Sequence, residues 1–142
     1  MWTISVSTDE YERRHRRFEK KRWTELEAVH LNLATYHSAL NAGSKPVQIP
    51  KMHSFVHPEP RGIYAIAEAK KKSRRNLAQT RLYVYPDSDR SVLHLLTIGD
   101  KDTQKEDIEF CKDCVDELEL RKREAATDEP EPDENATSST ET

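Results

Sequence analysis

Apolar and polar residues alternate in four short segments of the chain, and apolar residues recur every three to four positions in two longer segments. The alternating segments are residues 2–7, 62–69, 79–85 and 91–99. Alternation with a period of two is typical of β-strands, and a period near 3.6 is typical of helices. The helical spacing lies within residues 8–42 and 104–123, so the sequence predicts four strands and two helical regions.

Helix starts are indicated by Ser or Thr three residues before Glu, which is the capping-box pattern. The pattern occurs as Ser7 with Glu10, Thr24 with Glu27, and Thr103 with Glu106. The second pair predicts that the first helical region breaks near Thr24 into a hairpin, which ends before Gly43, a residue suited to the position after a helix. The following residues, 44–60, carry four of the seven prolines and are predicted to form a loop.

The order of these elements predicts an α+β fold. We expect the N-terminal strand and the helical hairpin to pack on one face of a small antiparallel sheet, with a C-terminal helix that runs to about Arg123. The other face of the sheet is expected to be open. The chain is therefore divided into a folded domain, residues 1–123, and a tail, residues 124–142.

Charge is distributed unevenly between the domain and the tail. The formal net charge of the chain is −3, but all 23 lysines and arginines lie in residues 1–123 together with 19 acidic residues, a balance of +4. The tail has seven acidic residues, two prolines and no aromatic residue. Such a segment cannot bury enough apolar surface to fold. We expect it to be disordered, either as a solubilising extension or as an acidic strand that competes for a basic surface.

The sequence gives no sign of a membrane segment or of a metal centre. Its apolar runs are too short to cross a bilayer, and its N-terminus lacks the apolar block of a secretory signal. We expect a soluble, cytoplasmic protein with no membrane partner. Cys111 and Cys114 form a lone CxxC pair, which we interpret as core or core-edge residues rather than metal ligands because a second ligand pair is missing.

Polar and aromatic side chains share one side of the strand at 79–85. If Leu82 and Val84 pack against the helices, alternation places Arg81, Tyr83 and Tyr85 on the open face. The preceding link adds the positive charges of Lys70, Lys71, Lys72, Arg74 and Arg75. Cations for phosphates and rings for unstacked bases are what single-stranded nucleic acid requires. Alternatively, the tyrosines are ordinary strand residues and the link is a solvated turn.

The segment RLYVYPDSDRSVLHLLTIGDKDTQKEDIEFC, residues 81–111, resembles the RelE/ParE superfamily of type II toxins and, within it, the HigB-like messenger-RNA interferases. In that family an arginine-bearing strand precedes a strand that ends in G-x-K and a helix opened by a QxxDI-like segment. The matching residues are Arg81, then Gly99, Asp100 and Lys101, then Gln104, Asp107 and Ile108. A preceding strand–helix–helix segment extends the resemblance to about residues 2–120. The long helical segment, the proline-rich loop and the acidic tail depart from the family pattern.

The resemblance implies a metal-independent endoribonuclease that needs no cofactor. Attack of a ribose 2′-hydroxyl on the adjacent phosphate requires a base, an acid and cations that stabilise the extra negative charge. Arg81 is the expected phosphate-stabilising residue, with Lys101 and either Arg74 or Arg75 in support. His94 and Tyr85 are the expected proton carriers, and Tyr83 with the basic link is expected to contact RNA. Since His94 shares its strand parity with apolar residues, the alternative is a buried or edge histidine.

The histidines of the proline-rich loop, His53 and His57, are rival proton carriers; otherwise they are surface residues or a pair of metal ligands. The expected function is that of the toxin of a type II toxin–antitoxin system, whose partners are a cognate antitoxin, messenger RNA and, if cleavage occurs during translation, the ribosome. Competing functions are a ParE-like toxin that inhibits a protein such as DNA gyrase, a decayed toxin that only binds its antitoxin, and an RNA-binding protein that does not cleave.

Overall fold

The fold is a five-stranded mixed sheet with helices on both faces. The computed structural model describes residues 1–68 and 80–128 of the 142-residue chain. The helices are α1 (Asp9–Lys21), α2 (Trp23–Asn41), α3 (Ile49–Met52) and α4 (Gln104–Asp128), with 3₁₀ turns at Pro46–Gln48 and Pro60–Gly62. The strands are β1 (Thr3–Val6), β2 (Val56–Pro58), β3 (Tyr64–Ala67), β4 (Arg81–Asp87) and β5 (Val92–Gly99). The predicted α+β class is confirmed.

The strand order in the sheet is β1-β5-β4-β3-β2. Strands β3, β4 and β5 form the predicted antiparallel meander, and β2 extends it by one antiparallel strand. Strand β1 pairs with β5 in parallel, with Thr3 opposite Val92. The prediction of a purely antiparallel sheet is therefore wrong at the edge formed by β1. Parallel pairing follows from the hairpin of α1 and α2, which is long enough to return the chain to the far side of the sheet before the meander begins.

The helical hairpin covers one face of the sheet, as predicted. Its buried residues recur at helical spacing along α2 and pack against inward-facing residues of the central strands. The cluster on this face includes Leu26, Val29, Leu33, Tyr36 and Leu40 of α2 with Leu82, Val84, Leu93, Leu95 and Ile98 of the sheet. Most of the apolar burial of the domain lies in this layer.

The opposite face of the sheet is not open, contrary to our expectation. Helix α4 packs across it and forms a second core in which Cys111 and Val115 meet Ile63, Ala65, Tyr83 and Leu96. All four residues of β3 are buried, so this strand has apolar neighbours on both sides. A strand that is apolar on both faces needs two covering layers. The fold is therefore three-layered, and the prediction that Tyr83 is exposed is wrong.

The ends of α1 and α2 differ from the predicted ends by one or two residues. Thr8, rather than Ser7, caps α1 and accepts a hydrogen bond from the backbone N–H of Tyr11 at 3.0 Å. The predicted break between the two helices lies at Arg22, two residues before Thr24, where φ of −143° and ψ of 45° depart from helical values. Gly43 follows α2 with φ +100°, as the sequence predicted, because this left-handed conformation favours glycine.

Residues 44–60 are more ordered than the predicted loop. They contain the short helix α3 and the edge strand β2, in which Val56 pairs with Ile66 of β3. Val56 and Ile49 are buried against the hairpin side of the core. Pro58 ends β2 at the edge of the sheet, where the loss of one backbone donor is tolerated. This edge strand has only three residues, which are too few to show a periodic pattern in the sequence.

Helix α4 continues to Asp128, five residues beyond its predicted end. The boundary between the folded domain and the tail at 123/124 therefore falls inside a helix, and the first residues of the predicted tail are helical. Residues 129–142 lie outside the described part of the chain, as does the basic link at 69–79. Within residues 1–68 and 80–128, no helix combines the length and apolar character that crossing a bilayer needs.

The start of α4 is joined to α1 and β5 by the buried carboxylate of Asp107. Its Oδ2 accepts a hydrogen bond from the Thr103 hydroxyl at 2.6 Å, and its Oδ1 lies 3.3 Å from Nη1 of Arg14. Arg14 also donates to the Ile98 carbonyl at 2.7 Å. Burial raises the pKa of Asp107, while Thr103 and Arg14 oppose that shift. Three elements therefore meet at a single ion pair.

Gly99 leaves the space that the Asp107 carboxylate occupies. A Cβ atom at position 99 would lie 1.8 Å from Asp107 Oδ2 and 2.8 Å from the Thr103 hydroxyl oxygen. We expect Gly99→Ala to lower the free energy of unfolding by about 1–3 kcal/mol, because overpacking displaces a buried, hydrogen-bonded carboxylate. Urea unfolding of the purified variant measures this. Ser88→Ala, in the exposed β4–β5 turn, serves as the control, and equal stability of both variants would contradict the prediction.

A pair of histidines joins α1 to α2. The Nε2 atoms of His15 and His30 lie 2.9 Å apart, so one ring N–H donates to the other ring. Burial, and then His15, lower the pKa of His30, whereas Glu19 opposes the shift. Because the pKa of His30 is lower in the folded state, the unfolded state binds a proton more readily. The contribution of neutral His30 to the stability of the fold is therefore present above about pH 6.5 and is lost as pH falls below that value.

The melting temperature of the wild type should consequently fall more between pH 7.5 and pH 5.5 than that of His30→Gln. The glutamine can still donate a hydrogen bond but does not titrate. Comparison with the variant cancels the contributions of the titrating groups that do not interact with His30. A variant that loses as much stability as the wild type over this range would show that the pair does not respond to protonation.

Candidate functional site

The four predicted catalytic residues divide between the two ends of the β4–β5 ladder. Arg81 pairs with Gly99, whereas Tyr85 pairs with His94. Arg81 and Tyr85 are four residues apart on an extended strand, which separates them by about 13 Å. Lys101 follows Gly99 by two residues in an exposed turn. The structure therefore brings Arg81 to the turn that carries Lys101 and leaves Tyr85 and His94 at the opposite end of the sheet.

Tyr85 and His94 are held by structural partners. Their rings stack with centroids 6.1 Å apart. The Tyr85 hydroxyl donates to the Glu119 carboxylate of α4, and His94 Nδ1 lies 2.7 Å from the hydroxyl oxygen of Ser7. Burial raises the pKa of Tyr85 and lowers the pKa of His94. These contacts hold α4 and the end of β1 against the sheet, a role that explains both residues without catalysis.

A bulge in β5 explains why the strand parity of His94 was misjudged. The register shifts between Tyr83 and Val84, so that Leu96 is an extra residue in β5. Leu96 belongs to the core under α4, whereas Ile98 belongs to the core under the hairpin. His94, Leu96 and Ile98 thus do not share one face, although simple alternation assigns them to one. A bulge reverses the alternation beyond it.

Tyr83 does not form part of an exposed nucleic-acid surface. Its side chain is 0% exposed beneath α4, and its hydroxyl has no hydrogen-bond partner among the described residues. Burial raises its pKa further above the ordinary range, so the phenol stays protonated. The other predicted RNA-binding residues, Lys70, Lys71, Lys72, Arg74 and Arg75, lie outside the described residues.

Arg81 lies at the end of the sheet beside acidic residues. Its guanidinium lowers the pKa of Glu59, although burial has the larger, opposite effect on that carboxyl group. Arg81 is half-buried on the side of the sheet that faces α4, the same side as Tyr83. A fixed cation at the edge of a core is suited to holding a phosphate, because little water competes with it.

Glu68, at this end of the sheet, has a carboxyl group whose pKa is raised well above its usual value. It follows the last residue of β3, and its Oε1 is buried without a hydrogen-bond partner among the described residues. Burial and the nearby carboxylate of Glu25 raise the pKa of Glu68 to about 7, while the Thr80 backbone N–H and Arg22 oppose the shift. The Thr80 hydroxyl donates to Glu25 at 2.9 Å. A carboxyl group with this pKa can accept or donate a proton near neutral pH.

Sequence reasoning missed Glu68 because its pKa depends on distant residues. Glu25 and Arg22 lie more than forty positions earlier in the chain and approach it only when the hairpin packs on the sheet. The only local signal is an acidic residue directly after a fully apolar strand. That signal alone fits a solvated strand end equally well, so it does not indicate a perturbed carboxyl group.

Basic residues of α1 surround the turn after β5. Arg22 Nη1 donates to Asp100 Oδ2 at 2.9 Å, which joins the end of α1 to the turn that carries Lys101. The same arginine lowers the pKa of Glu68. Next to this ion pair lies a cavity of about 200 Å³, lined by Arg14, Arg17, Phe18, Lys21, Arg22, Asp100 and Thr103. Positive charge and a proton carrier thus meet at one end of the sheet, which we call the Arg81 end.

A larger cleft, of about 580 Å³, lies at the opposite end, beside Tyr85. Its charged residues are largely paired with one another. Lys122 contacts Asp87 at 3.1 Å and Asp89 and Glu119 at 3.2 Å. Burial lowers the pKa of this lysine, but the three hydrogen bonds together outweigh it and raise the pKa. A lysine already surrounded by three carboxylates is poorly suited to binding an anion.

Potential metal ligands do not converge in the described part of the chain. No group of three or more His, Cys, Asp or Glu side chains there could hold a metal ion. Cys111 of α4 is buried against the sheet, and Cys114 of the same helix packs at the edge of that core, which confirms their assignment as core and core-edge residues. His53 stacks on Phe55 with centroids 5.2 Å apart, and His57 pairs with Ala65 in β2.

Comparison with known proteins identifies no relative. The chain matches no protein-family model, no curated protein and no solved structure. The functional assignment therefore depends on the residues and on their geometry.

The two tyrosines of β4 should respond differently to loss of the hydroxyl group. Tyr83→Phe removes a buried hydroxyl that lacks a partner, so we expect unchanged or slightly higher stability. Tyr85→Phe removes the hydrogen bond to Glu119 and should lower the free energy of unfolding by about 1 kcal/mol. Chemical denaturation of both variants tests this matched pair. A larger loss for Tyr83→Phe would indicate that its hydroxyl has a partner within the folded protein.

Proposed function

We propose that this protein is a metal-independent endoribonuclease that cleaves messenger RNA at the Arg81 end of the sheet, as the toxin of a type II toxin–antitoxin system. The observation that carries the proposal is the pairing of Arg81 with Gly99. It brings the arginine of one strand beside the Gly-Asp-Lys turn of the next, which are the two elements on which the resemblance to RelE-like toxins depends. Without this pairing, Arg81 and Lys101 would be unrelated surface cations.

Arg81 and Lys101 supply the positive charge in the proposed reaction. The 2′-hydroxyl oxygen attacks the adjacent phosphorus, and the bond from phosphorus to the 5′-oxygen of the next nucleotide breaks. The products are a 2′,3′-cyclic phosphate and a 5′-hydroxyl end. Negative charge builds up on the phosphate oxygens during this step, and cations fixed in place stabilise it more than they stabilise the substrate.

Glu68 replaces His94 as the proposed proton carrier. Ala67 pairs with Arg81, so Glu68 lies one position beyond that pair, and alternation directs the two charged side chains to opposite faces of the strand end. A phosphodiester that crosses the end of the sheet would contact the guanidinium on one side and the carboxylate on the other. As a base, Glu68 takes the proton of the 2′-hydroxyl, and a water or Lys101 protonates the leaving oxygen.

The order of elements agrees with the fold that the resemblance implies. A strand and two helices precede the antiparallel strands, and the helix that follows Lys101 contains Gln104, Asp107 and Ile108. Asp107 and Gly99 serve the packing of that helix rather than chemistry. A shared structural requirement accounts for these two residues of the motif, and Arg81 and Lys101 are the two that we assign to RNA.

A toxin of this type requires a partner that restrains it in the cytoplasm. We propose that a cognate antitoxin covers the basic Arg81 end, and that messenger RNA, presented by the ribosome or free, competes for it. Helix α2 offers a second contact area, since Trp23 and Leu31 are 61% and 67% exposed. Large exposed apolar residues of this kind are frequent at protein–protein interfaces.

The alternative is a non-catalytic, ParE-like or decayed toxin that acts by binding. The burial of Tyr83 under α4 favours it, because no aromatic surface is left on that part of the sheet for stacking unpaired bases. A binding protein needs the charged and apolar contact areas but not a carboxyl group with a pKa near 7. Glu68 therefore distinguishes the two functions.

Variants at positions 81 and 68 test the proposed cleavage. Expression of the wild type without an antitoxin should arrest growth and produce transcripts with 2′,3′-cyclic or 3′-phosphate ends in metal-free buffer. Arg81→Ala should lower the cleavage rate by about 10² or more, the scale of losing one charge-stabilising group. If Glu68 acts as the base with its pKa of about 7, the cleavage rate of the wild type should fall as pH drops below about 7. Glu68→Gln should remove this pH dependence.

Arg90→Ala is the control, since this arginine lies in the exposed turn at the far end of the β4–β5 hairpin. It should arrest growth and cleave RNA like the wild type. Growth arrest that persists in Arg81→Ala with intact transcripts would favour inhibition of a protein target. Absence of both arrest and cleavage, even with ribosomes present, would favour a pure binding protein.

A further inference from the structure

The cavity beside α1 carries more positive charge than its own acidic residues neutralise. Arg14 is paired with Glu10 at 2.9 Å and with Asp107 at 3.3 Å, and Arg22 is paired with Asp100 at 2.9 Å. Arg17 and Lys21 also line the cavity. Within residues 1–68 and 80–128, neither has a carboxylate within 4.0 Å. Among the described residues, two cations at the cavity thus have no acidic partner.

The shape of the cavity favours a phosphate over a base. Phe18 is buried, and the guanidinium carbon of Arg22 lies 5.5 Å from the centre of its ring. The cation covers the aromatic face on which a base would otherwise stack. The volume of about 200 Å³ is smaller than the pockets that usually enclose whole drug-sized ligands. Guanidinium and ammonium groups at the rim match phosphate oxygens in charge and in hydrogen bonding.

The start of α4 contributes little to this cavity. The backbone N–H groups of Asp102 and Thr103 donate to Asp100 Oδ1 at 2.9 and 3.2 Å. These donors are already used by the protein. The charge at the cavity therefore comes from the side chains of α1, not from the helix terminus.

We propose that Arg17 and Lys21 bind a backbone phosphate of single-stranded RNA, next to the phosphodiester that is cleaved. The inference rests on the proposed function, because it places this contact on the same RNA strand. Asp100 connects the two positions: it pairs with Arg22 at the cavity and follows Gly99, the partner of Arg81. The contact is sequence-independent. It orients the strand and strengthens substrate and transition-state binding equally, so it lowers KM and leaves kcat unchanged.

Two double variants with the same change in charge test this contact. Arg17→Gln/Lys21→Gln removes the cations of the cavity, and Arg16→Gln/Lys20→Gln removes their neighbours on the same helix. All four residues are exposed, and Arg16 and Lys20 do not line the cavity. Melting temperatures and circular dichroism establish that both variants fold. A fluorescein-labelled 12-nucleotide 2′-O-methyl oligouridylate, which lacks the attacking 2′-hydroxyl and so is not cleaved, reports Kd by fluorescence anisotropy.

We expect Arg17→Gln/Lys21→Gln to weaken binding about tenfold more than the control. The slope of log K against log salt should decrease in magnitude by about 0.7, as for the loss of one phosphate contact on a single strand. In cleavage assays the same variant should raise KM with kcat unchanged. Equal weakening in both variants, or no binding by the wild type, would overturn the proposed contact.

The binding assay does not depend on cleavage, so the two proposals fail separately. If the wild type cleaves RNA and both double variants bind the oligonucleotide equally, the phosphate contact is wrong and the proposed function stands. If no RNA is cleaved but only Arg17→Gln/Lys21→Gln binds weakly, the contact stands as part of a binding protein and the nuclease function is wrong.

Discussion

The buried carboxylate of Asp107 is the constraint on which the Arg81 end depends. A carboxylate taken out of water needs charged or hydrogen-bonding partners, and Arg14 and Thr103 supply them. Because Arg14 also donates to the Ile98 carbonyl, the ion pair fixes α1 against the last residues of β5. The position of Asp100 beside Arg22 follows from that attachment. An interaction that serves packing thereby sets the positions of the cations proposed to contact RNA.

Local patterns predicted most elements because each carries its own signal. The strand and helix periods, the glycine after α2 and the antiparallel β3–β5 meander were all found in the sequence and confirmed. Thr8 in place of Ser7 shows the limit of capping patterns, because adjacent residues of similar chemistry compete and tertiary contacts decide. The edge strand β2 is too short, and too rich in proline, to show a period.

The candidate site was predicted only in part, since its features arise from packing between distant segments. The approach of Arg81 to the turn that carries Lys101 could be predicted, because strand pairing follows from a short hairpin; the role of both residues in cleavage stays a prediction. Tyr83 and His94 were misplaced because sequence alternation reveals neither the helix that covers a face nor a bulge that shifts the register. Glu68 acquires its raised pKa from α2, a contact that no local pattern encodes. Properties that depend on burial between distant segments cannot be predicted from local sequence patterns.

The parallel pairing of β1 with β5 has a consequence for the order of folding. Thr3 and Val92 are neighbours in the sheet but almost ninety residues apart in the chain, so their contact closes a long loop at a high entropic cost. The meander, built from local contacts, can form first. During synthesis, α1 meets the turn at Asp100 only after nearly the whole domain has left the ribosome. The newly made chain would therefore acquire its assembled basic surface late.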